Sequence, residues 1–384
     1  MRQPSDKPLA GDLVFASTGP GIAEAGAVLT IDLGAVRENY RRLKARLGGP
    51  RCAGVVKADG YGLGAARVAL ALAKEGCDVF FVAHVGEGLE LRDALGREPE
   101  IFLLNGVPPD AEAICAAAGL TAVVNSLDQL AAWRGAAAAL GENLPAALQV
   151  DSGMARLGLS PKEVKSIAGD PGLLGGIGVK LVMSHLACAD DPEHPANAAQ
   201  KKQFDLLRSM LPSATASLAN SSGVFLGAPF HYDLARPGVA LYGVNPTPGR
   251  PNPMRAVVRL SAKIIQTRTL EAGAGVGYGH AYRAKTPLRA ATISLGYADG
   301  WHRRAAAAAA SFEGVRLPFI GRVSMDSIIL DISALPDGAL KTGDLVDLIG
   351  PDQTIDDVAA LAGTIGYEVL TGLGRRFHRL YTGG

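Results

Sequence analysis

A lysine at the end of a buried strand is a costly place for a charge. Residues 52–56 form a short apolar run, Lys57 follows, and a turn carrying Gly60, Tyr61, Gly62 and Gly64 comes next. Burying an ammonium group without a partner depresses its pKa. The neutral amine that results is a nucleophile suited to Schiff-base chemistry. The glycines let backbone approach a ligand closely, and the Tyr61 hydroxyl is placed to reach a phosphate. On these ten residues alone, a lysine whose head snorkels to solvent over a glycine turn is the slightly favoured reading.

The rest of the chain reverses that balance. Apolar runs recur at 53–57, 79–84, 101–105, 122–125, 146–150, 180–185, 214–220 and 232–236. Helical stretches such as 88–95, 110–118, 126–140 and 200–211 separate them. This alternation predicts an α/β fold with a (β/α)8 TIM-like barrel, an open doubly wound sheet being the alternative. Polar residues close nearly every run: Lys57, His84, Asn105, Asn125, Asp151, His185, Asn220 with Ser221, and Arg236. One His or Asn in such a place is ordinarily a cap or turn residue. Eight together imply a polar pocket at the barrel mouth, with Lys57 on its wall. Ser221, before Ser222 and Gly223, reads either as an N-cap or as part of an anion site.

The alternation stops at a segment dense in Pro and Gly, 243–253. Short β-rich runs follow at 256–265, 288–294, 315–320, 327–332 and 345–349, which predicts a mainly β second domain. The expected organisation is a flexible extension over 1–26, a barrel domain over 27–254 and a β-rich domain over 255–384. A first strand at 27–33 either belongs to the barrel or pairs with the second domain, and a helix over 34–47 follows it. The run of alanines at 305–310 reads as a solvent-facing loop or helix, and 353–364 as one helix of the second domain. With 384 residues, 48% hydrophobic but only 5% aromatic, the core must be built from Ala, Val, Leu and Ile. A formal net charge of +1 gives no electrostatic case for nucleic acid or an anionic membrane as partner. Cys52, Cys77, Cys115 and Cys188 are far apart in sequence, which predicts reduced thiols in a cytoplasmic protein and no metal site. The N-terminus lacks a signal-peptide pattern, and no apolar run reaches the length of a membrane span.

The strand-end lysine followed by Ala58, Asp59, Gly60, Tyr61 and Gly62 resembles the cofactor-lysine motif of alanine racemases, enzymes dependent on pyridoxal 5′-phosphate (PLP). Five further segments resemble the same family in the same order: 151–158 with Asp151, Met154, Arg156 and Gly158; 236–243 with Arg236, Gly238, Tyr242 and Gly243; 275–279 around Tyr278; 296–301 around Tyr297; and 321–326 with Met325 and Asp326. The resemblance runs from about residue 27 to the C-terminus. It implies an isomerase, an alanine racemase (EC 5.1.1.1), that interconverts L- and D-alanine with two bases. Lys57 would act on one face and carry PLP. Tyr278 would act on the other, supplied by the partner subunit of a homodimer with shared active sites. It implies a cofactor set of Lys57, Tyr61, His185, Asn220, Ser221, Arg236, Gly238, Val239 and Tyr367. Arg236 would meet the pyridine nitrogen, and His185 would hold Arg236. Arg156 and the Met325 N–H would bind the substrate carboxylate, and Tyr297 and Asp326 would line the entrance. The role implied is D-alanine supply for cell-wall peptidoglycan. Residues alone would make Tyr278 a turn residue packed among glycines, Tyr367 a core tyrosine, His185 a satisfied core histidine and Arg236 a surface salt bridge.

Two positions depart from the family pattern. Gln149 stands where many relatives have a lysine that carries a carbamate and positions the arginine; Ser324 stands where a cysteine is usual. Three competing readings remain at this level. A racemase of serine or a broader range of small amino acids is the least excluded. A PLP-dependent decarboxylase of the same architecture would place a glutamate where Arg236 stands. A non-catalytic PLP carrier would not need the tyrosine motifs of the second domain.

Overall fold

The structure, a computed structural model, describes residues 19–384. Of the extension expected over 1–26, residues 1–18 lie outside the described residues. The chain forms two compact units, one of residues 36–255 and the other of residues up to 35 together with 256–384.

The first unit is a closed barrel. A parallel ladder runs in chain order through Gly54–Val55, Val79–Val82, Glu100–Leu103, Thr121–Val124, Leu144–Gln149, Ile177–Met183 and Thr215–Ser217. Leu234–Ala235 pairs in parallel with Arg51–Cys52 and so returns to the first strand. Backbone bonds from Asp233 N to Ala216 O (3.1 Å) and from Arg236 N to Ala219 O (2.9 Å) tie it to the strand before. Closure selects the (β/α)8 barrel over the open sheet. The strands are short and apolar because both faces are covered; Val79, Phe80, Phe81 and Val82 are all fully buried.

Helices Val85–Leu95, Glu112–Ala117, Leu127–Leu140 and Ala196–Arg208 lie between the strands where expected. A further helix, Pro161–Gly169, starts at Pro161 and is capped by Ser160, whose Oγ accepts from Glu163 N while Glu163 accepts from Ser160 N. Helix Leu33–Leu47 buries Val36, Tyr40, Leu43 and Leu47, the face its periodicity predicts. Tyr40 Oη donates to Cys52 O (2.8 Å), and Asn39 Nδ2 to Arg255 O (2.8 Å), so the helix is keyed to the barrel.

The second unit is built on one long strand, Val258–Leu270. Its first half pairs antiparallel with Ala27–Asp32 and with Leu345–Ile349. Its second half pairs with Leu288–Ile293, which pairs in turn with Ile328–Asp331. His378–Thr382 lies parallel to Ala27–Asp32. The first strand therefore belongs to this unit, and the boundary expected between 26 and 27 moves to 35/36, the second from 254/255 to 255/256. The alanine run is also corrected. Ala305, Ala308, Ala309 and Ala310 are buried, and Ala309–Phe312 is a strand pairing with Val315–Pro318. Small side chains there let neighbouring layers pack closely. No helix among the described residues is long and apolar enough to cross a membrane.

Candidate active site

Lys57 follows the buried Val56 and is itself half-buried. The backbone then turns left-handed for four residues, with φ of 54° at Ala58, 53° at Asp59, 61° at Gly60 and 56° at Tyr61. For non-glycine residues that conformation costs about 1–2 kcal/mol each, so the turn must be held from outside. Gly60 N donates to Val56 O (2.8 Å) and Gly62 N to Ala58 O (2.7 Å). Asp59 Oδ1 accepts from Ala65 N (2.9 Å) and ties the turn to the start of helix Ala65–Ala73. Burial, and then the positive charge of Arg156, hold the Lys57 ammonium below its ordinary pKa; the Glu87 carboxylate opposes them.

Arg236 is 4% exposed and has no carboxylate partner among the described residues. Its Nη1 donates to Ser217 Oγ and its Nη2 to Ser184 O (2.7 Å). Nη2 also lies 3.4 Å from His185 Nδ1, and the guanidinium sits 5.8 Å from the centre of the Phe81 ring. Burial brings Arg236 down to about 9. Burial, then Arg236, Arg156 and Lys57, push His185 down to about 3. The imidazole is therefore neutral near pH 7 and acts as a hydrogen-bond partner, not a counter-charge. Ser184 and Ser217 were not among the residues expected from sequence, since a lone strand serine carries no signal of the arginine it holds.

A third group lies at the same barrel mouth. Ser221 Oγ accepts from Gly238 N (2.9 Å) and Ala240 N (3.2 Å). The N–H of Gly238, one of the expected cofactor residues, is thus given to Ser221. Val239 opens the turn Val239–Tyr242, where the first N–H groups have no partner within the turn. A Cβ at Gly238 would collide with Tyr61 Oη, so only glycine lets that hydroxyl lie against the turn. The Tyr61 ring packs 4.6 Å from that of Tyr242. Asn220 caps its own turn, its Oδ1 accepting from Gly223 N (2.8 Å).

Arg156 sits on an exposed loop shaped by Asp151, whose Oδ1 accepts from the N–H groups of Gly153 (2.9 Å), Met154 (2.9 Å) and Ala155 (3.2 Å). Gln149 is buried at the end of its strand, and no hydrogen bond joins its side chain to Arg156.

The remaining expected residues lie on the β-rich unit. Tyr278 is 68% exposed, between Gly277 and Gly279, both at φ of 66°. This corrects the packed turn residue that its glycine setting suggests. Tyr297 N donates to Ser324 O (3.0 Å) and Ala298 N to Met325 O (3.0 Å), which brings Tyr297 beside Met325 and Asp326. Asp326 pairs with Arg376 (2.9 Å), which also holds the buried Asp299 (2.7 Å). Tyr367 is partly exposed on helix Gly366–Gly372. Among the described residues no group of three His, Cys, Asp or Glu side chains is placed to hold a metal ion.

Residues 31–246 match the family model of the alanine racemase N-terminal domain, and residues 257–381 that of the C-terminal domain. The chain belongs to the alanine racemase family. Its members are isomerases, and similar proteins span nearly the whole chain. An "Alanine racemase, catabolic" of Mesorhizobium japonicum is 67% identical over 94% of this chain and 95% of that protein. A protein of the same description from Agrobacterium fabrum is 53% identical over 93% and 92%. The crystal structure of the Bartonella henselae alanine racemase with covalently bound pyridoxal phosphate is 42% identical. It superposes with a TM-score of 0.89 over 93% of this chain and 99% of that one. The alanine racemase architecture, a parallel barrel followed by a mainly β domain, is the one described above.

Proposed function

We propose that this protein is a PLP-dependent alanine racemase in which Lys57 holds the cofactor. One observation carries the reading: a half-buried lysine with a depressed pKa shares a barrel mouth with a buried arginine that has only neutral partners.

The residues present fit PLP. Lys57 supplies an amine whose pKa is lowered, first by burial, for the covalent bond. Tyr61, Ser221 and the N–H of Val239 are oxygen and nitrogen groups for a phosphate, on the turn that Gly238 keeps open; Gly238, Asn220 and Tyr367 complete the proposed set. Bound PLP supplies the electron withdrawal that makes the Cα–H of an amino acid acidic. Arg236 is the group for the pyridine nitrogen. A cationic guanidinium there would disfavour protonation of that nitrogen, and the modest electron sink that results would disfavour side reactions such as transamination. His185 helps fix the guanidinium. Arg156, with the Met325 N–H, takes the substrate carboxylate. Lys57 Nζ and Tyr278 Oη exchange a proton with Cα of alanine from opposite faces. The exposure of Tyr278 supports its delivery to the barrel of a second subunit, whose entrance Tyr297 and Asp326 would line. A homodimer with shared sites follows from this assignment.

Racemisation serves either direction of supply. Provision of D-alanine to peptidoglycan is the use expected from sequence; the two relatives named catabolic favour consumption of D-alanine as a second reading. The buried free thiols of Cys52, Cys77 and Cys115 support a reducing, cytoplasmic setting. The test is chiral analysis of L-alanine, L-serine and L-lysine incubated with the purified protein and PLP. Conversion of alanine well ahead of the others supports the proposal. Conversion of serine as fast or faster selects the broader racemase instead, and release of CO₂ selects a decarboxylase.

A further inference from the structure

Glu87 is not among the site residues expected from sequence, yet it touches the turn that carries Lys57. It lies in the first turn of helix Val85–Leu95, three residues after His84. One carboxylate oxygen, Oε2, accepts from Ala83 N (2.7 Å) and His84 N (3.1 Å), as a glutamate in a capping box does. The other, Oε1, leaves its own helix and accepts from Ala58 N (2.6 Å), the first amide after Lys57. Ala58 is also the first residue of the left-handed turn, which sterics alone disfavour. Backbone held in such a region persists only where its surroundings over-determine it, and such places cluster at functional sites.

We propose that Glu87 is a positioning residue for Lys57: its carboxylate bridges two successive barrel strand ends and pins the strained turn from which the lysine side chain projects. The inference rests on the reading of Lys57 as the cofactor lysine. The bridge needs two acceptor oxygens on one rigid group, because three N–H donors converge from two directions. A glutamine keeps the size but offers one acceptor and one donor, so it must abandon either Ala58 or the pair Ala83 and His84. Charge enters as a second effect. Lys57 is faced by Arg156 from the 151–158 loop, by His185 from its strand end and by Glu87, and of these only Glu87 is negative. A fixed anion there favours the protonated amine.

The fold contains its own control. Glu163 occupies the same place in helix Pro161–Gly169. Its Oε2 accepts from Ser160 N (2.8 Å) and its Oε1 crosses to Leu127 N (3.2 Å), the start of the neighbouring helix. That bridge has no link to Lys57.

The experiment compares full-length holoenzymes carrying Glu87→Gln and Glu163→Gln. Each variant loses a charge-assisted bond, so both melt below wild type. Glu87→Gln alone is expected to lower kcat about tenfold, the equivalent of one such bond, with KM for alanine little changed. It is also expected to move the acid limb of the kcat profile to lower pH, since kcat reports groups in the substrate complex. Equal melting losses with no difference between the two variants in kcat or its pH profile would reduce Glu87 to a helix cap and overturn the proposal. Should Glu87→Gln not fold, amide exchange in the wild type decides. Slow exchange at Ala58, which is exposed to solvent, supports the clamp, and exchange as fast as in an open turn contradicts it. Borohydride reduction of the wild type tests the underlying reading separately. PLP fixed to another lysine would remove the role of Lys57 while leaving Ala58 protection unchanged.

Discussion

Arg236 Nη2 lies 3.4 Å from His185 Nδ1, and every other hydrogen-bond partner of this buried guanidinium is a serine oxygen. A buried cation without an anion is expensive to keep, and its persistence points to a task at the barrel mouth. Burial first, and then the same cation, hold the histidine below its ordinary pKa.

His185 takes up a proton at about 3 in the folded protein, against an ordinary value of 6.5. Between those two values the unfolded chain binds more protons than the folded one, so folding stability falls as pH falls through that window. His185→Gln removes this contribution. Urea midpoints measured across the window should therefore decline less steeply in the variant than in wild type. Parallel declines would mean that His185 titrates as an exposed histidine does.

Replacing Arg236 with Glu removes donors from Ser217 Oγ and Ser184 O and puts an acceptor in their place. Loss of a charged hydrogen bond of about 1.5–3 kcal/mol corresponds to a ten- to hundredfold drop in kcat/KM. With Arg236 at the pyridine nitrogen as proposed, a carboxylate at that position would favour the protonated nitrogen and strengthen the electron sink. Pyruvate, the product of transamination, should rise relative to racemised alanine. An unchanged ratio of pyruvate to D-alanine would detach Arg236 from the cofactor.

Gln149 carries an amide, which cannot add CO₂ as an amine can. Its burial, and the absence of a hydrogen bond to Arg156, leave the arginine loop to be shaped by Asp151. Racemisation after CO₂ depletion should equal that after bicarbonate is restored at fixed pH. A clear gain on adding bicarbonate would count against carbamate independence.

Tyr278 in trans is testable with two inactive proteins. Lys57→Ala lacks one base and Tyr278→Phe the other. In a mixed dimer with shared sites, one site carries both defects and one carries neither. With random exchange about a quarter of all sites should be intact, by symmetry. Complete exchange with no recovered activity would sink both the trans assignment and the obligate dimer.

Much of the fold was legible because its signals are local. Strand ends such as Lys57, His185 and Arg236 announce themselves as polar residues closing apolar runs, and a closed barrel brings them to one mouth. Three things were not legible. The strand Ala27–Asp32 reads from sequence as part of either the barrel or the second domain, and its antiparallel partner at Val258–Leu270 assigns it to the latter. The alanines at 305–310 look solvent-facing by composition, whereas their burial reflects close packing of small side chains. The turn after Lys57 has glycines that hint at positive φ, but Ala58, Asp59 and Tyr61 share that conformation in a turn tied down by Asp59 to Ala65 and by Ala58 to the distant Glu87.

The central claim is that Lys57 is the residue that holds PLP in an alanine racemase. The most direct measurement is borohydride reduction of the purified holoenzyme followed by peptide mapping, with Lys57→Ala treated in parallel. The account predicts that the reduced pyridoxyl group is recovered on the peptide containing Lys57 and that the variant retains no fixed cofactor. Recovery of the label on any other lysine, or an equal yield from Lys57→Ala, would contradict it.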